Sequence, residues 1–384
     1  MDLREGALED LVDPWRGRRV FLTGHTGFKG GWLALWLARR GAQIRGYALD
    51  SSTEPNLFTA ASVATALDDM RGDIRDYAKL EASMAEFRPE VVFHLAAQPI
   101  LRRSYADPLG TYSTNVMGTA HVLEAVRKTS SVRAVVCVTS DKCYQNQDWV
   151  WPYRETDALG GFDPYSSSKA CAEIVCSAYR SSFFPVNRLD EHRVALATAR
   201  AGNVIGGGDW SEDRLIPDLV RGFQAGRPVP IRNPKAVRPW QHVLESLSGY
   251  MLLAEKLLEG PQRFCSSFNF GPDHGDAWPV ERIATRLAEM WGQGAAWIQD
   301  SVRGVHEHHS LTLDSSKARA QLGWHPRLGI ETSLEWTFNW YRDWQHGADM
   351  NQATLAQIAE FEQLARRRKN DLGTVGDGPL LSAG

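Results

Sequence analysis

The chain opens on a repeated pattern of short apolar runs separated by longer segments of mixed polarity. Arg18-Arg19-Val20-Phe21-Leu22-Thr23 reads as a buried strand, and Gly31-Trp32-Leu33-Ala34-Leu35-Trp36-Leu37-Ala38 as the helix behind it, stopped at Gly41. Strand-length runs recur from Gln43 to Leu49, Val91 to Ala97, Val132 to Val138 and Val194 to Arg200. They are rich in β-branched and small side chains and nearly continuous, the pattern of strands covered on both faces. Between them the apolar positions take a helical period, as in the amphipathic stretch from Ser104 to Lys128, which carries the polar Asn115 within it. Successive strand–helix units up to about residue 200 predict an α/β fold with a doubly wound parallel sheet and ligands at the carboxyl ends of its strands. Beyond that point turn residues and arginines dominate, which predicts a smaller C-terminal lobe. Leu328 to Trp344 and Gln352 to Arg368 read as terminal helices, and no internal repeat is visible.

Composition narrows the class without naming a chemistry. The 384 residues are 43% hydrophobic and 23% charged, an ordinary globular balance with material for one large or two smaller domains. A net charge of −3 gives no global pull towards nucleic acid or an anionic membrane. Five cysteines, an odd count scattered through apparent strands and helices, argue against a disulfide framework. No apolar run reaches the roughly 18 residues of a membrane span. Residues 1–17 read as a frayed, charged leader without a signal-peptide core, so a cytoplasmic enzyme is expected. Fourteen tryptophans fit core packing, with some left for an aromatic surface in the lobe or an interface.

The candidate chemistry sits where strands end. The first strand runs into Gly24-His25-Thr26-Gly27-Phe28-Lys29-Gly30 and then a helix, the context in which glycines bring backbone amides and a helix N-terminus to a pyrophosphate. Asp50, about twenty residues on, stands where an acid would bind the ribose diol of NAD. Arg45 within the same strand is a weaker sign of a 2′-phosphate site. Asp73, followed by Ile74, lies between a strand end and a helix and is placed to meet an adenine; small Ala96 and Ala97 after Leu95 leave room for a cofactor. Thr139-Ser140-Asp141-Lys142 closes another strand with four polar residues, and Tyr165 and Lys169 follow, four apart on one helix face. Holding that phenol ionised at neutral pH against a reference pKa near 10 takes about 4 kcal/mol. One cation about 4 Å away supplies roughly that much at an effective dielectric of about 20. His306-Glu307-His308-His309 carries ligand types but not metal-site spacing, so no metal is expected.

These residues carry a resemblance. Gly24-x-x-Gly27-x-x-Gly30, His94-Leu95-Ala96-Ala97, Tyr165-x-x-x-Lys169 and Arg200-x-x-Asn203-Val204 resemble the extended short-chain dehydrogenase/reductases that act on nucleotide sugars, over roughly residues 18–345. Within that family, residues 23–30, 139–144, Arg238-Pro-Trp-Gln-His-Val243 and Leu313-Asp-Ser-Ser-Lys-Ala318 are similar to the branch that dehydrates CDP-glucose. The resemblance implies a Rossmann sheet from 18–200 with a segment near 236–262 binding NAD. It implies a nucleotide-sugar lobe from 201–235 and 263–350, leaving 351–384 as a terminal helix and a disordered tail. It implies Ser140, Asp141, Lys142, Tyr165 and Lys169 as catalytic, with Asp141 the acid for the 6-hydroxyl and Lys142 the C5 base where related dTDP-glucose dehydratases carry a glutamate. For NAD it implies Gly24, Thr26, Gly27, Phe28, Lys29, Gly30, Asp50, Asp73, Ile74, Leu95, Ala96, Ala97, Asn115, Thr139, Tyr165, Lys169 and Arg200. For the sugar nucleotide it implies Gln98, Asn203, Arg214, Arg238 and Arg303. A homodimer through a four-helix interface is implied as well, with small Ala170, Ala172, Ser177 and Ala178 permitting close packing. The alternatives are an epimerase or reductase on the same fold, a dehydratase of dTDP- or GDP-hexose, or a dinucleotide sensor without catalysis.

Overall fold

A computed structural model of the chain describes residues 13–300 and 311–373, with side chains up to residue 365. Arg303, the His306 to His309 segment, the leader up to residue 12 and the tail from residue 374 lie outside the described residues.

Seven parallel strands form the central sheet: β1 (Arg19–Thr23), β2 (Gln43–Ala48), β3 (Asp68–Arg71), β4 (Val91–His94), β5 (Ala134–Val138), β6 (Ala195–Ala201) and β7 (Ser267–Phe270). Their order is β7-β6-β5-β4-β1-β2-β3. The direction of winding reverses between β1 and β4, which opens a crevice outside their carboxyl ends. Alternate side chains along each strand feed opposite faces. Val20, Leu22, Val91, Phe93, Ala134 and Val136 join one core with α1 (Phe28–Arg39). Phe21, Val92, Val135 and Cys137 join the other, under α2 (Tyr77–Phe87), α3 (Gly118–Lys128) and α4 (Pro164–Ser182). Double coverage is why these strands lack the polar alternation of a half-exposed sheet.

Three local features differ from the sequence pattern. The stretch Ser104 to Lys128 is not one helix. Pro108 has no amide to continue the turn before it, so Leu101–Ala106 ends and Pro108–Tyr112 begins under an Asp107 cap, whose Oδ1 accepts from Gly110 N at 2.8 Å. A π-helical turn, Ser113–Met117, then leads into α3 and carries Asn115 inward to 2% exposure. Arg45 is no phosphate site: its guanidinium pairs with Asp68 at 2.6 Å and Glu86 at 2.9 Å across the edge of the sheet. The edge strand β7 is missed by the apolar pattern because only four residues long, two of them Ser267 and Asn269.

The chain after β6 returns three times to build the lobe. Val204–Ile205 pairs with Gln241–His242, Val237–Pro239 with Ala277–Pro279, and Val229–Ile231 with Trp297–Gln299. α5 (Val243–Glu259) packs back onto the sheet, with Leu244, Leu247 and Met251 in the α1-side core. Two terminal helices follow, α6 (Ile330–Gln345) and α7 (Met350–Gly373), and the second reaches α1, where Trp36 Nε1 donates to Glu362 Oε1 at 2.8 Å. Trp15, Trp32, Trp324 and Trp340 are fully or almost fully buried, so tryptophan serves chiefly as core. Among the described residues no helix is long and apolar enough to cross a membrane.

Trp340 closes directly over Gly207, where a side chain would overlap the indole. Gly207→Ala should therefore overpack the joint and lower stability by about 1–3 kcal/mol. Denaturant unfolding checks this, and an unchanged midpoint would contradict the packing described.

Candidate active site

The crevice begins at Gly24. Its φ of +80° suits glycine, and an added Cβ would stand 2.7 Å from the amide nitrogen of Ala96. At Gly30 an added Cβ would overlap the Gly24 carbonyl oxygen. Gly27 precedes the twelve-residue α1 without a side-chain cap, so the amides of the first turn are left for an anion. Thr23, which the sequence reading passed over, fixes the opposite wall. Its Oγ1 accepts from the Leu95 and Ala96 amides at 3.2 Å each and meets His94 Nδ1 at 2.7 Å. Burial drops the His94 pKa to about 3, so that ring is a neutral linker, passing on to Thr119 Oγ1 at 3.1 Å. A threonine ending the strand immediately before the first glycine was the available signal.

These residues fit a dinucleotide. Asp50 stands at the carboxyl end of β2, 91% exposed with Arg71 at 3.4 Å, open to a ribose diol. Asp73 is gripped by Arg75, with bonds of 2.6 and 2.9 Å to one oxygen, so its carboxylate is engaged. Thr26 gives its hydroxyl to Leu49 O at 2.9 Å, Ile74 is buried against Gly118, and Phe28 packs on Gly206; all three shape the walls.

The reacting groups converge from β5 and α4. α4 starts on an Asp163 cap followed by Pro164, which puts Tyr165 in its first turn and Lys169 one turn later. Tyr165, Lys169, Ser140 and Asp141 are all buried. Burial pushes the Tyr165 phenol up to about 12, against its hydrogen bond with Ser140 and the charge of Arg214. The cation that acts most on the phenol is thus Arg214, not Lys169 as the spacing suggested. Lys169 instead donates to Val138 O at 3.4 Å, and burial brings its pKa down to about 8. Asp141 is raised by burial, although Lys142, Ser140, Arg238 and Lys29 all pull it the other way. Ser140 Oγ donates to Asp141 Oδ1 at 3.0 Å, and among the described residues Asp141 Oδ2 has no hydrogen-bond partner. A carboxyl whose hold on its proton is strengthened by burial, with one oxygen left open, suits a general acid. Lys142 is half-buried beside it. Burial, with Arg214 and Lys169 nearby, brings the Lys29 amine down to about 7.

Other residues singled out from sequence serve the site from behind. Gln98 is no free sugar ligand: its Nε2 donates to Thr111 Oγ1 at 2.9 Å and its Oε1 accepts from Ile100 N at 2.7 Å. Asn115 clamps the Gln98 backbone, with Oδ1 on its amide at 2.8 Å and Nδ2 on its carbonyl at 3.1 Å, and donates to Ser168 Oγ of α4 at 2.8 Å. Arg200 does not face a cofactor; it pairs with Glu173 at 2.8 Å, and Thr139 donates to the same carboxylate. Arg214 is held by Asp209 at 2.9 Å, and Arg238 is buried within reach of Asp141. Asn203 is half-buried, its carbonyl accepting from Gln241 N at 3.0 Å.

Comparison with known proteins agrees with this geometry. Residues 20–270 match the model of the NAD dependent epimerase/dehydratase family. The chain is 52% identical over 353 residues to CDP-glucose 4,6-dehydratase of Salmonella typhimurium, covering 92% of this chain and 98% of the relative. In fold it is similar to UDP-glucose 4-epimerase from Thermotoga maritima with UDP-glucose, at TM-score 0.72 and 24% identity over 85% of this chain and 99% of that one. It is also similar to dTDP-glucose 4,6-dehydratase from Bacillus anthracis in complex with NAD, at TM-score 0.70 and 22% identity over 85% and 97%. With this family model over residues 20–270 and a relative at 52% identity, the chain belongs to the NAD dependent epimerase/dehydratase family.

Proposed function

We propose that the protein converts CDP-D-glucose to CDP-4-dehydro-6-deoxy-D-glucose and water, with NAD bound in the glycine crevice. The observation that carries this reading is the turn Ser140-Asp141-Lys142, which sets a buried acid and an amine beside the Tyr165 phenol. An epimerase needs the phenol and its partners alone; an elimination needs two further proton-transfer groups. The nucleotide follows the Salmonella typhimurium relative, whose name specifies CDP-glucose.

NAD, when bound, supplies a hydride acceptor and later a hydride donor. Tyr165 takes the proton of the 4-hydroxyl, with Ser140 bonded to the same oxygen. With NAD bound, the positive charge of its nicotinamide would join that of Arg214 in lowering the phenol from about 12. The 4-ketone acidifies the C5 proton, which Lys142 removes and gives back to C5 once the 6-hydroxyl has left and C6 has been reduced. Asp141, whose pKa burial raises, gives its proton to the departing 6-hydroxyl. Asn203, Arg214 and Arg238 hold the sugar diphosphate, a task suited to bidentate guanidinium groups. Tyr112, Leu109, Met117 and Ile174 leave an apolar face on the helices around α4 that suits a second copy of the chain.

Incubation with CDP-, dTDP-, UDP- and GDP-glucose tests the reading: loss of one water should occur with the CDP sugar, and unchanged mass with all four would refute it. Tyr165→Phe should bind NAD normally yet lose at least about 100-fold in kcat; substantial turnover would remove Tyr165 from its role. Lys142→Ala should slow exchange of the C5 proton with solvent deuterium, and undiminished exchange would show that another group is the base. Ile174→Arg should convert a dimer to monomer in analytical ultracentrifugation, whereas an unchanged sedimentation coefficient would place the interface elsewhere.

A further inference from the structure

Behind the reacting groups lies a buried cluster that the steps above do not use. Glu173, one turn beyond Lys169, is 2% exposed. Its Oε1 accepts from Thr139 Oγ1 at 2.5 Å. Its Oε2 accepts from Thr198 Oγ1 at 2.8 Å, Ser267 Oγ at 3.2 Å and Arg200 Nη2 at 2.8 Å. Arg200 Nη1 then donates to Tyr144 OH at 2.8 Å, and that hydroxyl donates to Asn269 Oδ1 at 2.7 Å. Burial pushes the Glu173 carboxyl up, but its bonds to Arg200, Thr139 and Thr198 outweigh this and leave it below the usual carboxylate range. One carboxylate on α4 thus ties together the residue that follows β5, the middle of β6 and the start of β7.

A buried ion pair gives little net stability, because both charges lose their water. Its placement offers a different reason for keeping it. The turn that bears Ser140, Asp141 and Lys142 is flanked by Thr139 and Tyr144, and each flank is bonded to this cluster, one through Glu173 and the other through Arg200. The same carboxylate is the largest charge opposing the fall in the Lys169 pKa.

We infer that Glu173 is a positioning residue for the elimination: through Thr139 and Arg200 it holds the Asp141–Lys142 turn against the Tyr165 helix. The inference rests on the proposed dehydration. Oxidation at C4 draws on Tyr165 and Ser140, whereas loss of water needs Asp141 and Lys142 placed over the same sugar. Slack in the turn therefore costs the second half more than the first, and the reduced cofactor waits. Lys169 is faced by His94 from β4, Cys137 from β5, Cys143 beyond it, Lys29 from α1, and Glu173 and Cys176 from its own helix. Of these Glu173 alone is an anion at neutral pH. Lys169 assists as an ammonium, so activity is present below a pKa of about 8 and is lost as pH rises through it. Removing the Glu173 charge moves that limb to lower pH.

The test compares Thr139→Val, Glu173→Gln and wild type with CDP-glucose and NAD, following product, reduced nicotinamide and the pH profile. Thr139→Val cuts one tether and keeps the ion pair. It should lower kcat about 10-fold with KM within about 3-fold, accumulate reduced nicotinamide during turnover, and leave the alkaline limb in place. Glu173→Gln should do the same and also move the alkaline limb down by about one pH unit. Should Glu173→Gln fail to fold, with Arg200 left unpaired, Thr139→Val decides alone. Wild-type partitioning in Thr139→Val, or an unmoved alkaline limb in a folded Glu173→Gln, would overturn the inference while wild type still releases water. A wild type that releases none would overturn the dehydration reading and this inference with it.

Discussion

Desolvation is the constraint on which this site depends. The carboxyl ends of parallel strands, covered by helices on both faces, take Asp141, Tyr165 and Lys169 almost completely out of water. Charged forms lose most by that transfer, so the carboxyl and phenol are pushed up and the amine down. Asp141 is shifted towards its protonated form, and Lys169 becomes an amine that titrates near the working range. The phenol moves away from ionisation, and the cations around it must bring it back.

The fold makes that burial affordable by satisfying the polar groups it traps. Thr23 accepts two amides at the point where β1 and β4 part, Asn115 clamps the loop after β4 to α4, and Glu173 gathers donors from three strands. Each is a short polar side chain whose partners lie far away in sequence. Buried polar groups without such partners would cost more than the packing returns.

This distance explains how much could be read from the sequence. The glycine turn and the strands β1, β2, β4, β5 and β6 were legible, because doubly covered strands leave unbroken apolar runs and a pyrophosphate turn demands glycines at fixed spacing. The Tyr165–Lys169 pair was legible from helical periodicity. The direction of the electrostatics was not: proximity on one helix suggested that Lys169 tunes the phenol, whereas the fold brings Arg214 from another segment to do so. Gln98 and Arg200 looked like ligands because long polar side chains sit near motif residues, yet long-range partners claim both. Glu173, four residues beyond Lys169, was within reach of the same spacing argument. Its partners Thr198 and Ser267 were not, since the sheet order that sets them side by side cannot be read from local pattern.

In the proposed reaction one sugar is oxidised at C4 and reduced at C6 without leaving the site, while the phenol, acid and amine pass its protons. CDP-glucose carrying deuterium at C4 follows that transfer directly. The product should be lighter by one water and carry the label at C6. Label retained at C4, or lost from a sugar of unchanged composition, would contradict it.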